Sequence, residues 1–390
     1  MLWFIMSDLV RYIQQEAICF QDIETACFDQ FFSRCQKARV VLLGESTHGS
    51  SEYYRMRARL TKELVAKGGF TLLAVEGDWP DLEEVDRYAR GFPIRTTPFQ
   101  RFPAWMWNNP DFLQFIDWAK AYNASQNAPL RIYGLDLYLM RKSLELVANE
   151  VGRDSFREIL SLGIEPSNYF HYCKLTNRSY ETAFQSLLDA AVQKEVKDEE
   201  SFHFLQNLKF LVKGEAAIRL LDEEVLHWNI RARQMFDALL DLLEFHGPES
   251  KAIVWVHNTH VGHTKATPME QAGRCNIGTL CKGHFGSLAY TVGFGCYEGE
   301  VVAASHWCSP HEIKKIPPAL EGSYERLFFE CRLGSFFLSL HEQAGALLKE
   351  KRLQRGIGTI YDGGEANYYP ASLAEQFDAY IWFDSTTPVI

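Results

Sequence analysis

At 390 residues, with 47% hydrophobic and 23% charged content, the chain can bury a large core and lacks the composition of a disordered segment. Its 40 basic and 50 acidic side chains give a formal charge of −10 without a long basic run, which argues against nucleic acid as a partner. Nine scattered cysteines without CxxC spacing, an apolar start followed at once by "SDLVRYIQQE", and no run of ~18 apolar residues lead to the expectation of a reduced, cytoplasmic protein without a membrane span.

Three strand-like runs occupy the first third: "ARVVLLGE" (38–45), "FTLLAVEGD" (70–78) and "LRIYGLD" (130–136). They are apolar without polar alternation, the pattern of parallel strands covered on both faces. Between the first two lies "SSEYYRMRARLTKELVAKGG", whose serine start, leucines at helical spacing and closing Gly-Gly read as a crossover helix and make the segment a βαβ unit.

From 140 to 247 the strand signal gives way to amphipathic segments, so a helical insertion is expected there, between core halves at 1–139 and 248–390. Strand signals return at "KAIVWVHNTH" (251–260), at 287–305 (read as a hairpin), at "RGIGTIY" (355–361) and at "FDAYIWFD" (377–384). The expected class is α/β, a three-layer α/β/α arrangement with a mainly parallel sheet. Strands near 40–45, 70–76, 130–136 and 252–257 should be parallel neighbours.

Ligands of open α/β sheets sit outside the carboxyl ends of the strands. Glu45 and His48, Glu76, Asp136, and His257 with His260 all fall at such ends. Any one of them taken alone reads equally well as a cap or loop anchor; four ionisable strand ends together point to an active site. Arg57 shares a helix face with Tyr53, Leu60 and Leu64, so it should either meet Glu45 or Glu76 or snorkel to water. Ser46 approaches a nucleophile elbow, but His48 replaces the second glycine, which favours a capping or loop role for the serine. An imidazole acting directly on water makes fewer demands. His257, His260 and His263 lie three residues apart, a spacing compatible with zinc when carboxylates are near. Trp105 and Trp107 suit either core packing or a pocket wall.

The segments "LLGESTHGSSEYY", "FTLLAVEGDWPD", "FPAWMWNN", "YGLDLY", "HWNIRARQM", "WVHNTHVGH" and "LQRGIGTIY" resemble, in this order, the erythromycin esterase family. The resemblance implies a three-layer α/β/α core with a helical insertion and hydrolysis of an ester, in the best-known members the lactone of macrolide antibiotics. Its G-E-x-x-H-G motif falls on Gly44 to Gly49, which makes His48 the implied general base and Glu45 its essential neighbour. Arg57, Glu76, His257 and His260 match the remaining catalytic positions, and His263 falls outside them. Asp136, Trp107, Arg231 and Asn258 are the expected substrate-binding residues. The expected partner is a small-molecule ester, with no cofactor. A divalent metal on Glu45, Glu76, His257 and His260, or a binding protein without catalysis, are the alternatives.

Overall fold

The computed structural model describes residues 2–126, 128–162, 165–340, 347–364 and 367–390, with the backbone alone for 2–7. Its strands are β1 (Ile18–Phe20), β2 (Val40–Leu43), β3 (Leu72–Asp78), β4 (Arg131–Asp136), β5 (Ala252–Trp255), β6 (Ala289–Ala304), β7 (His311–Ile316), β8 (Ser335–Ser339), β9 (Arg352–Arg355), β10 (Tyr368–Ala371) and β11 (Ala379–Thr386). Among the described residues nine of them form one sheet in the order β1-β8-β11-β6-β2-β5-β3-β4, with β7 beside β6, while β9 and β10 pair separately.

The four strands expected to be parallel neighbours are so: Val40, Val41, Leu42 and Leu43 pair with Ala252 to Trp255, which pair in turn with Leu72 to Val75, and β3 pairs with β4. All four carboxyl ends therefore lie along one stretch of one edge. The doubly apolar strand pattern has its cause in two cores. Val41, Leu43, Leu73, Val75 and Trp255 pack with Tyr54, Leu60, Leu64 and Phe112 on one side. Val40, Leu42, Leu72, Ala74 and Val254 pack with Met235, Leu239 and Leu242 on the other. Each strand alternates its side chains between faces, and both faces are dry.

Helices fill most of 140–245, and a third cluster (Leu144, Val147, Phe184, Leu208, Leu211, Ile218) gives them a core of their own. The helix Glu199–Arg219 serves two cores, since Phe202, Phe210 and Ala217 face the sheet while Leu208, Leu211 and Ile218 face the third cluster. Among the described residues no helix is long and apolar enough to cross a membrane.

Two expectations fail. The segment 287–305 is one 16-residue strand, not a hairpin. Its first part pairs in parallel with β2 and β11, and Gly299 to Ala304 run antiparallel to β7. Gly299 is not a turn residue; it holds φ at 141°, where a Cβ would lie 2.2 Å from the Thr386 carbonyl, so its role is close strand approach. The segment 355–361 forms a strand only up to Arg355. Beyond it, the Ile357 N–H donates to the Ser46 carbonyl at 2.8 Å, so this stretch is a loop that clamps the Gly44–Gly49 turn.

Candidate active site

The loop after β2 is held from several sides. Gly44 is required at its start because a Cβ there would lie 2.2 Å from Asn258 Oδ1. The Asn258 carboxamide donates to the Phe294 carbonyl at 2.7 Å and accepts from the Phe294 N–H at 3.2 Å. Asn258 is thus consumed in joining the loop after β5 to β6. It does not line the cleft, which corrects its expected substrate-binding role. Ser46 Oγ bonds the Tyr53 hydroxyl at 2.7 Å, which occupies the one side chain that suggested a serine nucleophile.

His48 Nδ1 lies 2.8 Å from Glu45 Oε1, and Arg57 Nη2 lies 2.6 Å from Glu45 Oε2. Arg57 is completely buried and points inward, with its guanidinium 4.6 Å from the Tyr54 ring centroid and 5.0 Å from that of Trp255. The snorkelling alternative is therefore wrong. Burial raises the Glu45 pKa, but the Arg57 charge and the His48 contact outweigh it and hold the carboxyl below its ordinary value. An ionised Glu45 accepts the Nδ1 proton, which leaves Nε2 as the basic nitrogen of His48 on the cleft side.

The second acid, Glu76, is engaged through both oxygens. Oε1 accepts from Arg231 Nη2 at 2.7 Å and lies 3.3 Å from His260 Nε2, and Oε2 accepts the His257 N–H at 2.8 Å. Arg231 reaches in from the helix Glu224–Phe245 and grips Asp136 with two bonds, at 2.9 and 2.8 Å. Its Nη1 is 3.0 Å from His260 Nε2. Burial opposes ionisation of both acids. The adjoining His260 ring and the Arg231 guanidinium nevertheless hold Glu76 well below the usual range, and Arg231 lowers Asp136.

His257 caps the short helix Asn258–Val261: its Nδ1 accepts the Thr259 N–H at 3.2 Å, and Thr259 Oγ1 lies 2.9 Å away. An accepting Nδ1 places the ring proton on Nε2. That Nε2 is buried and has no hydrogen-bond partner among the described residues. Burial and the neighbouring His48 push the His257 pKa down to about 3, so the ring is neutral at neutral pH. The rings of His48 and His257 are 4.8 Å apart. A base and an unpaired N–H donor thus stand side by side.

These groups border a cleft of about 290 Å³, lined by His48, Glu76, Asp136, Arg231, His257 and His260 among others. Trp107 is a wall of it and donates through Nε1 to the Glu76 carbonyl at 2.9 Å. Glu45 and Arg57 stand behind His48. His263 is elsewhere, its Nδ1 accepting the Lys265 N–H. Sequence reasoning missed Asp78, Asp81, Arg101, Tyr138, Trp228, Thr259 and Trp307, all of which line the cleft. Asp78, Asp81, Tyr138, Trp228 and Thr259 fall within the segments that carry the family resemblance, whereas Arg101 and Trp307 lie outside them. Trp228 stacks on His260 at 4.5 Å, a contact between distant segments that no local pattern reveals.

Several of the groups named for a divalent metal already have partners within the protein. Guanidinium groups occupy Glu45 and Glu76, and a backbone N–H occupies His257 Nδ1. Among the described residues no three His, Cys, Asp or Glu side chains are arranged to hold a metal ion. A larger surface hollow of about 820 Å³ includes Arg90, Arg95 and Glu199 in its lining. Its ion pairs, Arg90 with Glu199 at 2.6 Å and Arg95 with Glu84 at 2.8 Å, tie neighbouring segments together, and no strand-end residue reaches it.

Fold and site together define the class, an α/β protein with a carboxylate-and-imidazole cleft at the carboxyl edge of a mainly parallel sheet. The chain belongs to the erythromycin esterase family, whose model matches residues 65–386. The match begins beyond the Gly44–Gly49 loop, so His48 rests on the geometry given above. A putative hydrolase of Bacillus subtilis (strain 168), YbfO, is 23% identical, with 90% of this chain and 84% of that protein covered. Among solved structures, a succinoglycan biosynthesis protein superimposes with a TM-score of 0.83 at 24% identity, covering 98% of both chains. A Bacillus cereus protein does so at 0.83 and 20% identity, again over 98% of both. A mutant of the erythromycin esterase EreC, in its open conformation, gives 0.69 at 15% identity over 95% of this chain and 98% of that one. These structures establish the shared fold, while the family and the B. subtilis relative support a hydrolase.

Proposed function

We propose that the protein hydrolyses a carboxylic ester or lactone with water activated by His48 and no covalent intermediate. The observation that carries this reading is the Glu45–His48 bond of 2.8 Å, which leaves His48 Nε2 open to the cleft beside the unpaired Nε2–H of His257. His48 Nε2 takes a proton from water as its oxygen attacks the ester carbonyl. The carbonyl oxygen, gaining charge, is met by the His257 Nε2–H. Collapse of the tetrahedral intermediate expels the alkoxide, which recovers the proton from His48, so that acid and alcohol form from ester and water.

A positioned base contributes ~10²–10⁴-fold, and one oxyanion donor ~10²–10³-fold. Arg57 keeps Glu45 anionic, and Arg231 fixes Glu76, Asp136 and His260 around the base. Ser46 has no part, because its hydroxyl is bonded to Tyr53.

Turnover of a panel of simple esters by the wild type and by His48→Asn tests the reading. A loss of about 10³-fold or more in kcat with an unchanged unfolding temperature is expected. Wild-type turnover by the variant would remove His48 from the mechanism.

A further inference from the structure

The cleft shows which substrates it can accept, and this inference rests on the hydrolase reading of the same cleft. Its acidic and guanidinium lining residues are Glu76, Asp78, Asp81, Asp136, Arg101 and Arg231. Every oxygen of the four carboxylates already accepts a hydrogen bond from the protein. Glu76 uses Arg231 and the His257 N–H. Asp78 uses the Leu139 N–H at 2.9 Å and Arg101 at 2.6 Å. Asp81 uses Lys142 at 2.7 Å and the Phe99 N–H at 2.9 Å. Asp136 is gripped by Arg231 on both oxygens. The two guanidinium groups are committed to these same acids, and Arg101 Nη1 also donates to the Phe102 carbonyl.

No charge is left to receive one from a substrate. A carboxylate or ammonium entering the cleft would lose water and meet only engaged partners, at a desolvation cost without return. The unpartnered buried polar atoms among the lining residues are His257 Nε2 and His260 Nδ1. Trp107, Tyr138, Trp228 and Trp307 add aromatic walls to the same space. Size points the same way, since about 290 Å³ lies just below the ~300–1,000 Å³ that holds drug-sized ligands. Trp307, in the turn between β6 and β7, is 42% exposed at the outer side of the lining, edge-on to Phe102 at 5.0 Å and 6.4 Å from Tyr138.

We propose that the substrate is a compact, uncharged ester or lactone whose apolar part is held between indole and phenol rings, and that macrocyclic and charged esters are excluded. Trp307 is the residue that sets the size limit.

Three acetates of similar size decide the charge claim: 3,3-dimethylbutyl acetate (neutral), acetylcholine (cationic) and 4-acetoxybutanoate (anionic). Erythromycin serves as the macrocycle. Turnover by the wild type is read beside calorimetric binding to His48→Asn. Binding of the neutral acetate at least about tenfold tighter than either charged one is expected, with no measurable binding of erythromycin. Trp307→Ala is expected to raise erythromycin binding relative to the neutral acetate. Equal or tighter binding of acetylcholine, 4-acetoxybutanoate or erythromycin would overturn the proposal, as would no binding of any compound. Selective binding of the neutral acetate without turnover of any ester would leave this inference standing and remove the hydrolase reading instead. Turnover without selectivity would do the reverse.

Discussion

Glu45, His48 and Arg57 belong to one strand-end loop and the helix that follows it, whereas Glu76, Asp136, Arg231 and His260 come from four distant segments. The first group is a chain of single contacts, arginine to carboxylate to imidazole, sealed under Tyr54 and Trp255. The second is a hub, in which one guanidinium touches three partners. The difference separates two tasks. A linear relay presents one basic nitrogen to the cleft, and a hub fastens the helix Glu224–Phe245 to the sheet edge so that the cleft keeps its shape.

The relay is most sharply tested by Glu45→Gln. The amide keeps the shape of the carboxylate but removes its charge, so Arg57 loses its partner and the His48 tautomer is no longer enforced. A fall in kcat of about 10²–10⁴-fold is expected with a smaller change in KM. A change confined to KM would assign the pair to substrate binding instead.

Arg231→Lys tests the hub. An ammonium cannot make the two-pronged bond to Asp136 while also reaching Glu76 and His260. Thermal unfolding should show a loss of about 1–3 kcal/mol, with activity reduced through the population of folded enzyme. If stability is untouched while kcat collapses, Arg231 belongs with the reacting groups and the division of tasks is wrong.

Acid titration addresses both groups at once. Folded His257 refuses a proton until about pH 3, whereas the unfolded chain takes one up near 6.5. Folded His246 behaves likewise, its burial lowering it to about 4. The unfolded state therefore binds more protons between these values, and stability is complete above 6.5 and declines as pH falls. Glu45, Glu76 and Asp136, all lowered in the fold, add to the loss in the carboxylate range. The unfolding temperature should drop between pH 7 and pH 4.5, and His257→Gln should flatten the curve by at most about 1.4 kcal/mol per pH unit. An unchanged slope in that variant would show that His257 is not held neutral.

The smallest expected effect is none. Dialysis against a strong chelator should leave ester turnover intact, because the carboxylates a cation would need are neutralised by Arg57 and Arg231. Activity lost on dialysis and restored by a stoichiometric metal would mean that these arginines rearrange to admit it.

The apolar strands could be read from sequence because their pattern is local: Val40 to Leu43 and Leu72 to Val75 have no polar alternation, and each ends in an acid. Glu45, His48 and Arg57 were legible for the same reason, as they sit within a few turns of chain. The same local reasoning failed at 287–305, where "YEGE" imitates a turn but Gly299 serves a close approach to Thr386. It also failed at Asn258, whose neighbours on the chain carry the chemistry while its own side chain is spent on Phe294.

What the sequence determined by itself was therefore whatever depends on neighbours along the chain: the buried strands, the crossover helix, the acids and imidazoles at strand ends. Only the tertiary structure decided which side chains are left unpaired. Tyr53 takes up Ser46, Arg231 takes up two acids, and a backbone N–H turns His257 into a donor. Pairing depends on distances between segments far apart in the chain, and these exist only once the sheet has closed and the helices have packed upon it.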